Sequence, residues 1–180
     1  AIDLGPTLLD FFGLQATPDM LGRNLREAIA TDTAVREGAI FGLHGGHVNF
    51  TDGRYVYMRA PVNDANEPLF DYTLMPTHMK EMFSVEELGS AELTPPFSFT
   101  KHCPQLRIRR PSSEPDPHAP GNKRRVGVST FETMLFDLGG DPQQEQPVEN
   151  PDLEARLAAL MVELMRTCDA PEEQYQRLGL

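Results

Sequence analysis

Between Ala39 and Arg59 the chain reads AIFGLHGGHVNFTDGRYVYMR. Two turn signals, Gly45-Gly46 and Asp52-Gly53, divide this run of aliphatic, aromatic and β-branched residues into three short pieces. Dipeptides of this kind supply the positive φ angles that tight hairpin turns need. The stretch therefore predicts a three-stranded antiparallel meander.

Side chains on successive residues of a strand point to opposite faces of the sheet. In the middle piece, Val48 and Phe50 share one face, and His47, Asn49 and Thr51 share the other. We expect an apolar face that packs into the core and a polar face. A small sheet with one apolar face needs a cover, so a helix elsewhere in the chain must lie on it.

The natural cover is the longest predicted helix, which starts with Asn150 as its cap and Pro151 in the first turn. Its apolar residues recur at intervals of three and four and form one stripe. The stripe consists of Leu153, Leu157, Leu160, Met161, Leu164 and Met165. Residues 133–138 have strand character and predict a fourth strand. The expected fold class is α+β, with a small antiparallel sheet of about four strands packed against a C-terminal amphipathic helix.

Shorter elements are also predicted. Residues 4–12 read as a helix with Asp3 as its cap, and Ser84 followed by Glu87 forms a capping-box signature for a second short helix. Residues 69–74 favour an extended conformation. Asp169-Ala170-Pro171 marks the start of a final short helix.

The net charge of -11 argues against a nucleic-acid partner, because phosphate binding needs a dense basic face. No stretch of the sequence has the length of apolar residues that a membrane span requires. Basic residues concentrate in one proline-rich excursion over residues 101–126, which we expect to be mobile. They are Lys101, Arg107, Arg109, Arg110, Lys123, Arg124 and Arg125.

Cysteine usage and the first residue leave the compartment open. Cys103 and Cys168 are too few for a disulfide framework. The sequence starts at Ala1 and not at Met, so we expect the true N-terminus to lie upstream. Cytoplasmic and periplasmic locations both fit this pattern.

Candidate binding residues lie at the first turn of the meander. His44 and His47 flank Gly45-Gly46, and Asn49 follows on the same strand. These three side chains are candidate substrate or anion contacts, since imidazoles donate hydrogen bonds and can charge near neutral pH. The alternative is a pair of turn histidines without a functional role. No catalytic residue and no metal ligand is predicted, because no spacing typical of a nucleophile motif or a metal site occurs.

Several segments, in this order, resemble the C-terminal portion of a sulfatase, a member of the alkaline-phosphatase-like superfamily. Residues 3–9 (DLGPTLL) resemble the helix after the last strand of the family's large domain, and residues 21–25 (LGRNL) resemble the loop that follows it. Residues 51–57 (TDGRYVY) resemble a hairpin of the small C-terminal subdomain. Residues 135–138 (LFDL), Asp141-Pro142 and the helix over 151–165 resemble its closing strand, turn and helix. The chain departs from the family at Gln144, where an acidic residue is usual, and in the basic excursion.

The resemblance implies a domain organisation and a function. Residues 1–35 would be the end of the large sulfatase-like domain, and residues 36–180 would be the C-terminal subdomain. The full-length parent would hydrolyse sulfuric esters, with an anionic sulfate ester as substrate and with calcium and formylglycine as cofactors. Its partner would be the missing N-terminal catalytic domain, which would carry the nucleophile and the metal.

This chain alone would therefore be inactive and would hold no cofactor. Cys103-Pro104-Gln105-Leu106-Arg107 has the cysteine and arginine spacing of the family's nucleophile motif, but Gln105 and Leu106 replace residues that are proline or small in the family. Two alternatives stay open: a non-catalytic interaction or oligomerisation domain, and part of a phosphate or phosphonate ester hydrolase of the same superfamily.

Overall fold

The computed structural model describes residues 2–75, 77–78, 81–110 and 131–180. The chain divides into two compact units. One comprises Ala1–Glu37 and Thr94–Gln105, and the other comprises Gly38–Leu93 and Leu106–Leu180. The domain boundary at residues 35 and 36 came from the resemblance alone and stays a prediction.

Helices and strands alternate irregularly along the chain. The helices are α1 (Leu4–Phe11), α2 (Arg26–Thr31), α3 (Val85–Gly89), α4 (Pro151–Thr167) and α5 (Glu172–Leu178), with a short 3₁₀ helix at Ser98–Thr100. The strands are β1 (Ala39–Gly42), β2 (Val48–Thr51), β3 (Tyr55–Arg59), β4 (Phe70–Thr73), β5 (Glu92–Thr94), β6 (Gln105–Arg109) and β7 (Met134–Asp137). None of the helices in these described ranges has the length and apolar character needed to cross a membrane.

The main sheet has the strand order β1-β2-β3-β7, and its neighbouring strands are all antiparallel. The predicted α+β class is therefore confirmed, as are the meander and the later fourth strand. The register aligns one row of side chains across the sheet, from Ile40 through Phe50 and Tyr57 to Leu135.

Helix α4 covers the face of the main sheet that carries this row. Its buried residues Leu157, Met161 and Met165 form one apolar core with Phe50 and Tyr57. Full burial of one such side chain contributes about 1.5–3 kcal/mol. The predicted cover of the sheet by the amphipathic helix is confirmed.

The start of α4 follows the predicted capping pattern. Asn150 has extended backbone angles, and its Oδ1 accepts a hydrogen bond of 3.0 Å from the amide of Leu153. Pro151 occupies the first turn, where its missing N–H leaves no acceptor unpaired.

The two hairpin connections differ in width. At the second, Asp52 Oδ1 accepts hydrogen bonds from the amides of Arg54 (3.0 Å) and Tyr55 (2.8 Å), and Gly53 has a φ of 95°. At the first, β1 ends at Gly42 and β2 starts at Val48, so the predicted two-residue Gly-Gly turn is replaced by a wider connection over residues 43–47.

The second face of the main sheet is not polar, which corrects the expectation from alternation. Asn49, Val56 and Phe136 lie on this face and are 8%, 5% and 4% exposed. Alternation identified which residues share the face, but it could not show that the face is covered.

A second, smaller sheet has the strand order β4-β6-β5. The extended reading of residues 69–74 matches β4, whereas β6 lies inside the predicted basic excursion. Residues 105–109 of that excursion form a strand because Ile108, which is 1% exposed, alternates with arginines that reach acidic partners. Arg107 pairs with Glu92 (2.5 Å) and Arg109 with Glu67 (3.1 Å). Residues 111–126 of the excursion lie outside the described residues.

Helix α5 and the residue after it form hydrogen bonds with three other parts of the same unit. Arg59 of β3 donates to the carbonyls of Leu178 (2.8 Å) and Gly179 (3.2 Å) at the C-terminal end of the helix. The Tyr72 hydroxyl of β4 donates to Glu173 Oε1. The third set of hydrogen bonds is made by Arg177 and lies at the candidate site.

In the other unit, α1 begins where the sequence predicts but lacks the predicted side-chain cap. Asp3 has helical backbone angles and makes no capping hydrogen bond. Its Oδ1 instead accepts from the amide of Arg23 at 2.7 Å and pairs with the Arg36 guanidinium. The carboxylate is therefore used for an ion pair, which a pattern of neighbouring residues cannot reveal.

Candidate functional site

The connection between β1 and β2 forms one wall of a cavity of about 210 Å³. His44 and His47 both line it, together with Gln174 and Arg177 from α5. The structure thus brings two of the three predicted site residues to one cavity. Asn49 is not among the lining residues.

His44 has fixed hydrogen-bond roles at both ring nitrogens. Its Nδ1 lies 2.7 Å from Arg110 Nη1, and its Nε2 lies 3.0 Å from the Phe70 carbonyl oxygen. A guanidinium only donates, so Nδ1 is the acceptor and the proton is on Nε2. Asp71 Oδ1 lies 3.5 Å from the same Nε2 and 3.4 Å from Arg110 Nη1. The ring is held in position, with no nitrogen left for a ligand.

His47 is held on one side only. Its Nε2 lies 2.8 Å from the carbonyl oxygen of Glu132, and its ring meets that of Phe131 edge to face at 4.8 Å between centroids. The proton on Nε2 is donated to the carbonyl. Nδ1 makes no hydrogen bond with the described residues, so this nitrogen is available to a ligand.

Asn49 lies apart from the two histidines. It pairs in register with Phe41 and Met58, on the sheet face opposite the core residue Phe50. Its Oδ1 is buried and has no hydrogen-bond partner within the described ranges.

Arg177 is a site residue that sequence reasoning missed. Its side chain is 2% exposed. Nη1 donates to the Gly46 carbonyl (3.1 Å) and to Asn66 Oδ1 (2.9 Å), and Nε donates to Gln174 Oε1 (3.0 Å). Burial lowers the pKa of the guanidinium. No local pattern marks it, because one arginine in a short polar helix is usually solvated.

The side chains that line the cavity are hydrogen-bonding groups and apolar groups. Beside the histidines, Gln174 and Arg177, the residues that line it are Ile40, Phe41, Gly42, Leu43, Gly45 and Val48. None of these carries a nucleophilic group or a carboxylate. Across the described parts of the chain, no cluster of three or more histidine, cysteine, aspartate or glutamate side chains could hold a metal ion.

Comparisons with known proteins add no family. No protein-family model matches the chain, and neither a curated protein nor a solved structure matches it.

Proposed function

We propose that this chain is the C-terminal subdomain of a sulfatase-like hydrolase and that it is inactive alone. The observation that carries the proposal is the main sheet in the order β1-β2-β3-β7 with α4 on one face. The resemblance implies a four-stranded antiparallel sheet with the C-terminal helix against it. The hairpin at residues 51–57, the strand at 135–138 and the helix at 151–165 occur in the implied order.

Calcium and formylglycine do not fit the residues that the structure describes. Calcium takes six to eight oxygen ligands, whereas the cavity offers a guanidinium, an amide and imidazoles and no carboxylate. In the nucleophile-like motif, Gln105 is buried and its amide donates to the Cys103 carbonyl, which is a structural role. In this proposal both groups belong to the N-terminal catalytic domain of the parent.

The proposed task of the chain in the parent is to pack on that domain and to form one wall of the substrate cleft. His44 and His47 are the proposed contacts with an anionic sulfate ester, because they lie at the connection over residues 43–47. Nδ1 of His47 makes no hydrogen bond with the described residues, whereas His44 would have to exchange one of its two present hydrogen bonds for the ester. A part for Asn49 in such a wall stays a prediction. A phosphate or phosphonate ester is the alternative substrate class within the same superfamily.

The test combines the upstream reading frame with an activity assay. We expect the DNA before the codon for Ala1 to encode, in frame, a Cys or Ser in a Cys-x-Pro-x-Arg type motif and paired metal carboxylates. The polypeptide from the whole frame should hydrolyse p-nitrophenyl sulfate. The purified 180-residue chain should give no turnover above buffer.

Three results would contradict parts of this proposal. Turnover by the purified chain refutes the inactive fragment. A frame without the nucleophile motif refutes the family. Hydrolysis of p-nitrophenyl phosphate or a phosphonate ester in place of the sulfate moves the parent to the alternative substrate class.

A second candidate function is a non-catalytic oligomerisation domain, which the exposed apolar surface of α1 favours. Leu8, Phe11 and Phe12 are 57%, 73% and 70% exposed. Contiguous exposed apolar residues mark interaction sites more often than solvated surface. The occupant in this case is α1 of a second copy.

For this second function we expect the wild-type chain to elute as a dimer in size-exclusion chromatography with light scattering, and Phe12→Asp to elute as a monomer. Ala16→Asp is the control, since it adds the same charge at an exposed loop residue. A monomeric wild-type chain at high micromolar concentration would remove the support for oligomerisation.

A further inference from the structure

Arg177 is a buried cation that pairs with no carboxylate of the described residues. All three of its hydrogen-bond acceptors, on Gly46, Asn66 and Gln174, are neutral. It forms no ion pair with any described residue. Buried charges are normally paired, because neutral acceptors replace only part of the lost hydration.

Two donor groups at the cavity have no acceptor among the residues that the structure describes. Arg177 Nη2 and Gln174 Nε2 have no hydrogen-bond partner within the described residues, and both residues line the cavity. A guanidinium edge beside an amide is the kind of donor set that oxyanions bind.

The described residues around these donors carry no negative charge that would repel an anion. None of the described lining residues is acidic, although the chain has a net charge of -11. The volume of about 210 Å³ corresponds to several water molecules at roughly 30 Å³ each, which leaves room for a small ion. An anion placed here would supply the negative charge that the described residues do not provide for Arg177.

We propose that the cavity between the β1–β2 connection and α5 binds a small oxyanion of the sulfate or phosphate type, with Arg177 and Gln174 as its donors. The binding is a property of the isolated chain and does not depend on the proposed parent enzyme. A negative sulfatase assay would not contradict anion binding by this cavity, and a failed anion titration would not contradict the family proposal.

The test is a titration of the purified chain with sodium sulfate and, separately, sodium phosphate at about pH 6, in a constant chloride background. The chemical shifts of the Arg177 Nε–H and Gln174 side-chain amide groups are followed by NMR. We expect both signals to move in a saturable manner at low millimolar anion or below. The midpoint of thermal unfolding should rise with the same concentration dependence.

The decisive variant is Gln174→Glu. This variant keeps the oxygen that accepts from Arg177 Nε, so it should fold. Its carboxylate lies beside the guanidinium and should take the place of the bound anion. We expect its affinity for either anion to fall at least tenfold. Gln176→Glu is the matched control, because it makes the same change at an exposed position of α5 that does not line the cavity.

Each outcome of the titrations either supports or overturns the proposed anion site. Saturable shifts with either anion in the wild type and in Gln176→Glu, lost in Gln174→Glu, support the site, and the anion that binds more tightly identifies its class. Absence of saturable shifts with both anions overturns the proposal. Equal binding by Gln174→Glu and the wild type also overturns it, because the anion would then bind elsewhere.

Discussion

Leu157→Ala is expected to lower the free energy of unfolding by about 2–5 kcal/mol. Leu157 is fully buried at the centre of the α4 contact with the main sheet, where it belongs to the same core as Phe50 and Tyr57. Truncation removes apolar contacts and leaves a cavity that the rigid sheet cannot fill by relaxing. Chemical denaturation followed by circular dichroism measures the loss.

Glu163→Ala serves as the control for this substitution. Glu163 is on the exposed face of the same helix, so we expect a change within about 0.5 kcal/mol. If the two variants were equally stable, α4 would not cover the sheet, and the fold correspondence behind the proposed function would lose its basis.

Tyr72→Phe is expected to cost about 1–3 kcal/mol of stability. The Tyr72 hydroxyl donates to Glu173 Oε1, and Glu173 is 9% exposed. Removal of the hydroxyl leaves a buried carboxylate oxygen without this donor. Tyr175→Phe is the control on α5, because the Tyr175 hydroxyl has no hydrogen-bond partner in the described ranges, and we expect almost no change.

The hydrogen bond between Tyr72 and Glu173 also predicts that the free energy of unfolding depends on pH in the alkaline range. Burial and the hydrogen bond to Glu173 raise the pKa of Tyr72 above its usual value of 10.0. A raised pKa means that the folded state favours the protonated phenol, so its stabilisation is complete below pH 10 and is lost as the pH rises further. The stability difference between the wild type and Tyr72→Phe should therefore narrow above pH 10. A constant difference between pH 8 and 11 would contradict the proposed ionisation.

Local sequence patterns were sufficient for the four strands of the main sheet and for the helix that covers it, but not for the width of the first connection or the burial of the second face. Three local patterns were used: the glycines between the strands, the alternation in β2, and the N-cap and apolar stripe of α4. Each pattern is defined by neighbours within a few residues. Their physical basis is the geometry of one strand or one helix turn. These elements could be predicted because no distant partner is needed to define them.

The missed features depend on residues far apart in the chain. Strand β6 contains three charged or amide side chains in five residues and is identified only by its pairing with β4. Arg177 contacts Gly46 across a separation of 131 residues, so its burial follows from tertiary packing. The turn histidines were found because they flank glycines, whereas the buried guanidinium beside them has no local mark.

The three hydrogen-bonded contacts of helix α5 have a consequence for folding during translation. They join residues separated by 131, 119 and 101 positions, so each closes a long loop of chain. Contacts of such high sequence separation form late, because the entropy of loop closure must be overcome first. A nascent polypeptide on the ribosome cannot complete this unit until residues 172–178 have emerged from the exit tunnel, so until then the connection over residues 43–47 lacks its hydrogen bond with Arg177.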